Sequence, residues 1–202
     1  MIFLVVTSCR KQYQATEVDL ANYGWTLFEE GNFTESNRWF IESLKVDTLY
    51  KDGYNGAGWS FGKVRSLDSS IVYLSEGLNY TQDPNIIANT DYELKSGLCF
   101  AYNALGDDSA SLAWGNSLLT DWTNTNVTQW SFSHDTTITH LDIYVVMAVG
   151  YFRSGLFAES LTMVQTVLAE LDSTITFTPD ITSVAGRNAL ADEIEFLQVL
   201  LR

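Results

Sequence analysis

Two prolines and two cysteines among 202 residues leave this chain with few enforced breaks and no disulfide framework. Cys9 and Cys99 stand ninety positions apart. Neither belongs to a CxxC pair or a Cys/His cluster, which excludes a structural zinc module. No apolar run approaches the roughly 18 residues that a membrane-spanning helix needs. Cationic residues are scarce as well: 11 Lys and Arg face 25 Asp and Glu, a net charge of −14. A phosphate backbone attracts the opposite sign, and no Lys/Arg stripe is present, so nucleic acid is excluded as a partner. The G-x-S-x-G, Gly-rich phosphate-loop and EF-hand patterns are missing too. His134 and His140 are six residues apart, beside Asp135 and Asp142. Zinc hydrolases prefer histidines at i and i+4 with a carboxylate base, so these two read as surface or loop-packing residues. The expectation is no catalysis, no metal and no cofactor.

What the chain does have is 46% apolar and only 18% charged residues, enough to bury a core. It also repeats itself. "LANYGWTLFEEGNFTESNRWFIESLKVD" from Leu20 aligns with "YNGAGWSFGKVRSLDSSIVYLSEGLNY" from Tyr54, pairing Gly24 with Gly58, Ser36 with Ser70 and Phe40 with Leu74 at a spacing of 34. A third copy, "KSGLCFAYNALGDDSASLAWGNSLL", lies 41 residues on, and a fourth, "YVVMAVGYFRSGLFAESLTMVQTVL", another 49. Each reads as two amphipathic helices joined by a tight turn. Gly31, Gly106 and Gly155 supply the left-handed residue that ends the first helix, and Arg65 replaces it in the second copy at some cost. Cys99, inside the apolar stretch "SGLCFAYNAL", reads as a small core residue. The growing spacing places about seven extra residues around "TQDPNIIANT" and about fifteen in "TDWTNTNVTQWSFSHDTT", both read as loops between units.

These copies resemble the tetratricopeptide repeat (TPR) family. In the fourth copy the family signature falls on Tyr144, Met147–Ala148, Tyr151, Gly155, Phe157, Ser160, Val164 and Val167–Leu168. The first copy carries it on Leu20, Tyr23–Gly24, Leu27, Gly31, Phe33, Ser36, Phe40 and Ser43–Leu44. The third departs, with Asp108 at the turn aromatic and Gly115 at the next large position. The resemblance implies an all-α, right-handed superhelical array of antiparallel helix pairs. Four units near 17–48, 50–83, 91–120 and 138–171 make an array over 17–171, and 172–202 form a linker and a capping helix with Ile194, Leu197 and Leu201 on one face.

The resemblance further implies a non-enzymatic scaffold that binds a protein or peptide. In such arrays the first helix of each pair lines the concave side. Carried over residue by residue, that side holds Trp25, Phe28, Asn55, Trp59, Phe100, Asn103 and Phe152 as a candidate groove. Ala21 and Trp25 stand where a Lys/Asn carboxylate clamp would begin, which disfavours capture of a C-terminal tail. The long insertion offers a second candidate surface in Trp122, Trp130 and Phe132.

The start of the chain adds a location. "VTSC", ending at Cys9 after the apolar run Ile2–Val6, resembles a bacterial lipobox, in which the cysteine thiol carries the lipid. Residues 1–9 then read as a residual signal segment and 10–16 as a polar tether. The expected setting is the bacterial cell envelope, with the protein facing the periplasm and held by its lipid alone. A soluble cytoplasmic adaptor with an incidental Cys9, or an envelope protein binding a small ligand or glycan through Trp122 and Trp130, are the alternatives.

Overall fold

A computed structural model describes residues 14–201 of the chain. Cys9, on which the lipid anchor depends, lies outside the described residues. Among those described, four helix pairs follow one another: α1 (Glu17–Glu29) with α2 (Phe33–Val46), α3 (Lys51–Lys63) with α4 (Leu67–Gly77), α5 (Thr90–Leu105) with α6 (Asp108–Thr125), and α7 (His140–Arg153) with α8 (Phe157–Leu171). A last helix, α9 (Val184–Leu200), lies on α7 and α8 and buries Leu190, Ile194 and Leu197. Among the described residues one antiparallel hairpin interrupts the helices, between α6 and α7, formed by β1 (Ser131–Phe132) and β2 (Asp135–Thr139).

Local chemistry accounts for the ends of these helices. Thr16 and Asp19 form a reciprocal capping box at the start of α1, and Thr139 and Asp142 form another at α7. Asn89, Asp107 and Ser183 cap α5, α6 and α9 with their side-chain oxygens. After each first helix the backbone turns left-handed, with φ of 80° at Gly31, 81° at Gly106 and 75° at Gly155. Arg65 adopts φ of 63° at the same place, without the freedom that the missing Cβ provides.

The repeat spacing also fixes buried hydrogen bonds. Ser70 Oγ donates to Gly58 O at 2.8 Å, Ser111 Oγ to Cys99 O at 2.9 Å and Ser160 Oγ to Ala148 O at 2.8 Å. These six residues are related by the same steps of 41 and 49 as the sequence copies. The register of the irregular third unit is therefore set. Cys99 sits fully buried in it, and burial pushes its thiol up to about 11, so it stays a neutral core residue.

Close packing explains the small residues. Phe40 of α2 fits between Gly24 and Gly56, where a Cβ would come within 3.0 and 2.1 Å of its ring. Leu74 of α4 fits likewise between Gly58 and Gly97, at 2.4 and 2.8 Å. In the third unit the corresponding large residue is Gly115, and Met147 of α7 fills the space from the opposite side. The departure from the family pattern is thus compensated by a neighbour.

First helices touch one another across units, α1 on α3, α3 on α5 and α5 on α7, whereas each second helix packs mainly against its sequence neighbours. The stack consequently curves with α1, α3, α5 and α7 on its inner side.

Candidate functional site

The inner side of the first two units carries Trp25 and Phe28 on α1 and Trp59 on α3. Sequence position places these rings on a binding face, yet Trp25 is only 4% and Trp59 6% exposed. What covers them is the hairpin. Phe132, at the end of β1, is fully buried and stacks on Trp59 with centroids 4.1 Å apart and planes 17° from parallel. It also meets Trp25 and Phe28 edge-on at 6.0 and 5.9 Å. The next but one residue, His134, lies flat on Trp25 at 3.6 Å with planes 3° apart. The two surfaces separated in the sequence, groove and inserted loop, are one place in the fold.

Polar contacts complete the seat. Ser133 donates to Glu93 Oε1 through its amide at 3.1 Å and its hydroxyl at 2.6 Å, while Asn55 Nδ2 donates to the other carboxylate oxygen. Trp25 Nε1 donates to Asp52 Oδ2 at 2.8 Å, and Trp59 Nε1 to the Glu93 carbonyl at 3.2 Å. His134 Nδ1 meets Glu29 Oε1 at 2.9 Å, and Lys63 Nζ meets Asp135 Oδ2 at 3.0 Å. Burial raises the pKa of both Asp52 and Glu93; the hydrogen bonds from Trp25 and Ser133 offset this only in part. Burial would raise Asp135 too, but Thr137 and Lys63 pull it below the usual carboxylate range.

Three sequence expectations need correction in detail. The loop was expected to begin near Thr120, but α6 runs on to Thr125, so Trp122 is a buried helix residue against Tyr92 and Trp130. Phe132 is core, not surface. Trp122, Trp130 and Phe132 therefore present no exposed aromatic platform, because each ring is turned onto helical neighbours. Asn55 is wholly buried and serves Glu93. Of the two readings offered for His140, surface or loop-packing, the second agrees with its contacts: it is buried at the start of α7, its amide holds the Trp130 carbonyl at 2.9 Å, and its Nε2 meets Glu170 at 2.7 Å.

The rest of the inner side is open. Phe100, Asn103 and Phe152 are half-buried and uncovered by the hairpin, and Asn103 Nδ2 lacks a hydrogen-bond partner. Where unit one has Phe28, unit two has Gly62. The missing ring leaves a cavity of about 250 Å³ between Trp59, Gly62, Leu67, Phe100 and Ile138. A second cavity of about 170 Å³ continues past Phe100 and Asp142 to Val145, Val146 and Leu201. Glu93, Asp52, Ser133 and His134 had no motif to mark them, since they meet only when units one to three are stacked and the hairpin returns onto them.

A curved stack of helix pairs with a lined inner groove defines a helical solenoid. More particularly, its fold is that of TPR proteins. No protein-family model matches the sequence, and no curated protein does. Solved structures do match. YrrB, described as a TPR protein with an unusual peptide-binding site, has a TM-score of 0.62 at 13% identity, over 92% of this chain and 89% of that one. MamA matches at 0.58 and 13% identity, over 78% and 79%. Nearly identical TPR-like repeats of a kinesin light chain from Podosopora anserina match at 0.59 and 10% identity, over 92% and 96%.

Proposed function

We propose that this chain is a non-enzymatic protein-interaction scaffold that receives an extended segment of another protein along its inner side. One observation carries the reading. That side already holds a segment of the chain itself, the hairpin Trp130–Ile138, by ring stacking and by hydrogen bonds to the buried Glu93 carboxylate. These are the interactions by which a groove grips a peptide. The likeness to YrrB supports the same use of the fold.

Photo-crosslinking residues placed at Phe100 and Phe152, on the open inner side, test it against Val72, which is 63% exposed on α4. The inner positions should trap a common protein that Val72 does not. Crosslinks from Val72 alone would overturn the reading. Trp25→Ala and Trp59→Ala are poor probes, because both rings are core.

The proposed setting is the periplasmic side of a bacterial cell envelope, with a lipid on Cys9. The "VTSC" motif and the polar residues after it support this. Radiolabelled palmitate should enter the full-length protein and be lost in Cys9→Ser. Equal labelling of the two, or none in either, would leave the cytoplasmic adaptor.

A further inference from the structure

The hairpin is a poorly self-supporting element that is well held by something else. Its strands pair over a short, irregular ladder, Ser131 with Thr139 and Phe132 with Asp135. A two-stranded ribbon of this size is marginal alone. Neither turn residue, Ser133 or His134, adopts the positive φ that the favoured two-residue hairpin turns use. Its conformation is imposed by the groove, through the four tip residues Phe132, Ser133, His134 and Asp135.

The groove, in turn, is only partly satisfied by that tip. Glu29, Asp52 and Glu93 converge there in a chain of net charge −14. Against them the tip offers one serine and one imidazole, and brings Asp135, which needs Lys63 for itself. Buried carboxylates are stabilised most by a full positive charge with hydrogen bonds. Asn55 Oδ1, beside Glu93, has no partner at all. A segment with the same aromatic anchor, the same hydroxyl and a permanent cation would fit better than the resident one.

We infer that the hairpin tip is an internal ligand, displaced by a partner segment that turns at the same place and carries an aromatic, a Ser or Thr and a cationic residue in succession. The inference rests on the groove reading above and deepens it. The aromatic takes the place of Phe132 on Trp59, the hydroxyl residue bonds Glu93, and the cation lies over Trp25 between Glu29 and Asp52. The chain is thereby closed at rest and opens in exchange for its partner.

The test uses the whole chain and two labelled peptides, WSFSHDT and WSFSRDT, followed by fluorescence anisotropy. The double variant Phe132→Ala/His134→Ala empties the seat. It should bind WSFSRDT about 100-fold tighter than the wild type does, because an open fraction of about 1% divides the apparent affinity by that amount. It should also prefer the arginine peptide to the histidine one and ignore WSASRDT. Equal binding by wild type and variant, or none to a variant with native circular dichroism, would overturn the inference. Hydrogen exchange on the wild type guards against a variant that fails to fold. The Ser133 amide, bonded only to the Glu93 side chain, should exchange about 100-fold faster than amides of α3 and α5. Exchange of all three together would mean a fixed structural hairpin. Crosslinks from Phe100 and Phe152 that survive such a result would leave the scaffold standing and remove the internal ligand alone.

Discussion

On α1 and α3 the inner-facing positions carry Trp25, Phe28 and Trp59, and the hairpin seals all three. On α5 and α7 the matching positions carry Phe100, Asn103 and Phe152, all half-buried, and Phe100 borders two cavities. The helical framework is the same in both halves, and so is the register that the buried serines mark. The difference comes from fourteen residues, 126–139, that return from unit three onto units one and two. An aromatic at a groove position is thus core or surface according to what lies across from it.

Replacing one phenylalanine in each half should separate them most strongly. Phe132→Ala is expected to cost about 3 kcal/mol, the low end for a buried ring, since the hairpin can peel away instead of enclosing a cavity. Phe152→Ala, half-buried against Phe157, should cost about 1 kcal/mol because only part of its area leaves water. Urea unfolding followed by tryptophan emission measures both, and only Phe132→Ala should shift the native emission to the red. Equal costs without a shift would erase the distinction between the halves.

A smaller effect follows from the sealed carboxyls. Asp52 and Glu93 hold protons more tightly folded than unfolded, because burial penalises their charged forms. Folding therefore takes up protons in the window above the ordinary carboxylate range of about 4, and stability falls as pH rises through it. Asp135 works in the opposite sense, but only as pH falls below that range. The melting temperature should accordingly rise from pH 7 to pH 5, and Glu93→Gln should flatten the rise. An unchanged slope in that variant would show that Glu93 is not sealed.

The smallest effect lies away from the groove. Arg65→Gly should stabilise the chain by about 0.5–1 kcal/mol by removing a left-handed non-glycine residue. Gly31→Ala, at the same position one unit earlier, has no neighbour within 4 Å and should cost about 1 kcal/mol through its backbone alone. Thermal melts of the two should move in opposite directions.

The helix pairs were legible because their information is local and repeated. Gly24, Gly58 and Ser70 recur at fixed steps, and each contact that they make is with a neighbouring helix. The hairpin was legible only in part. "DTTIT" is a β-branched run of the kind that forms strands, yet the Ser133–His134 turn carries no Asn-Gly or Asp-Gly signal, and "TDWTNT" before it is helical. Glu93 and Asp52 were not marked at all, since a carboxylate on a helix is ordinarily solvated.

By itself the sequence determined the repeating unit, its turns, the acidic balance of the chain, and the rings on the inner side of the first helices. Periodicity and spacing carry these, and both act over a few residues. Only the tertiary structure decided that the insertion returns to those rings. Ring stacking on Trp25 and Trp59, and burial of Glu93 beneath Ser133, join residues 40 and more positions apart. No local pattern encodes such a pairing, and whether a groove is open depends on it.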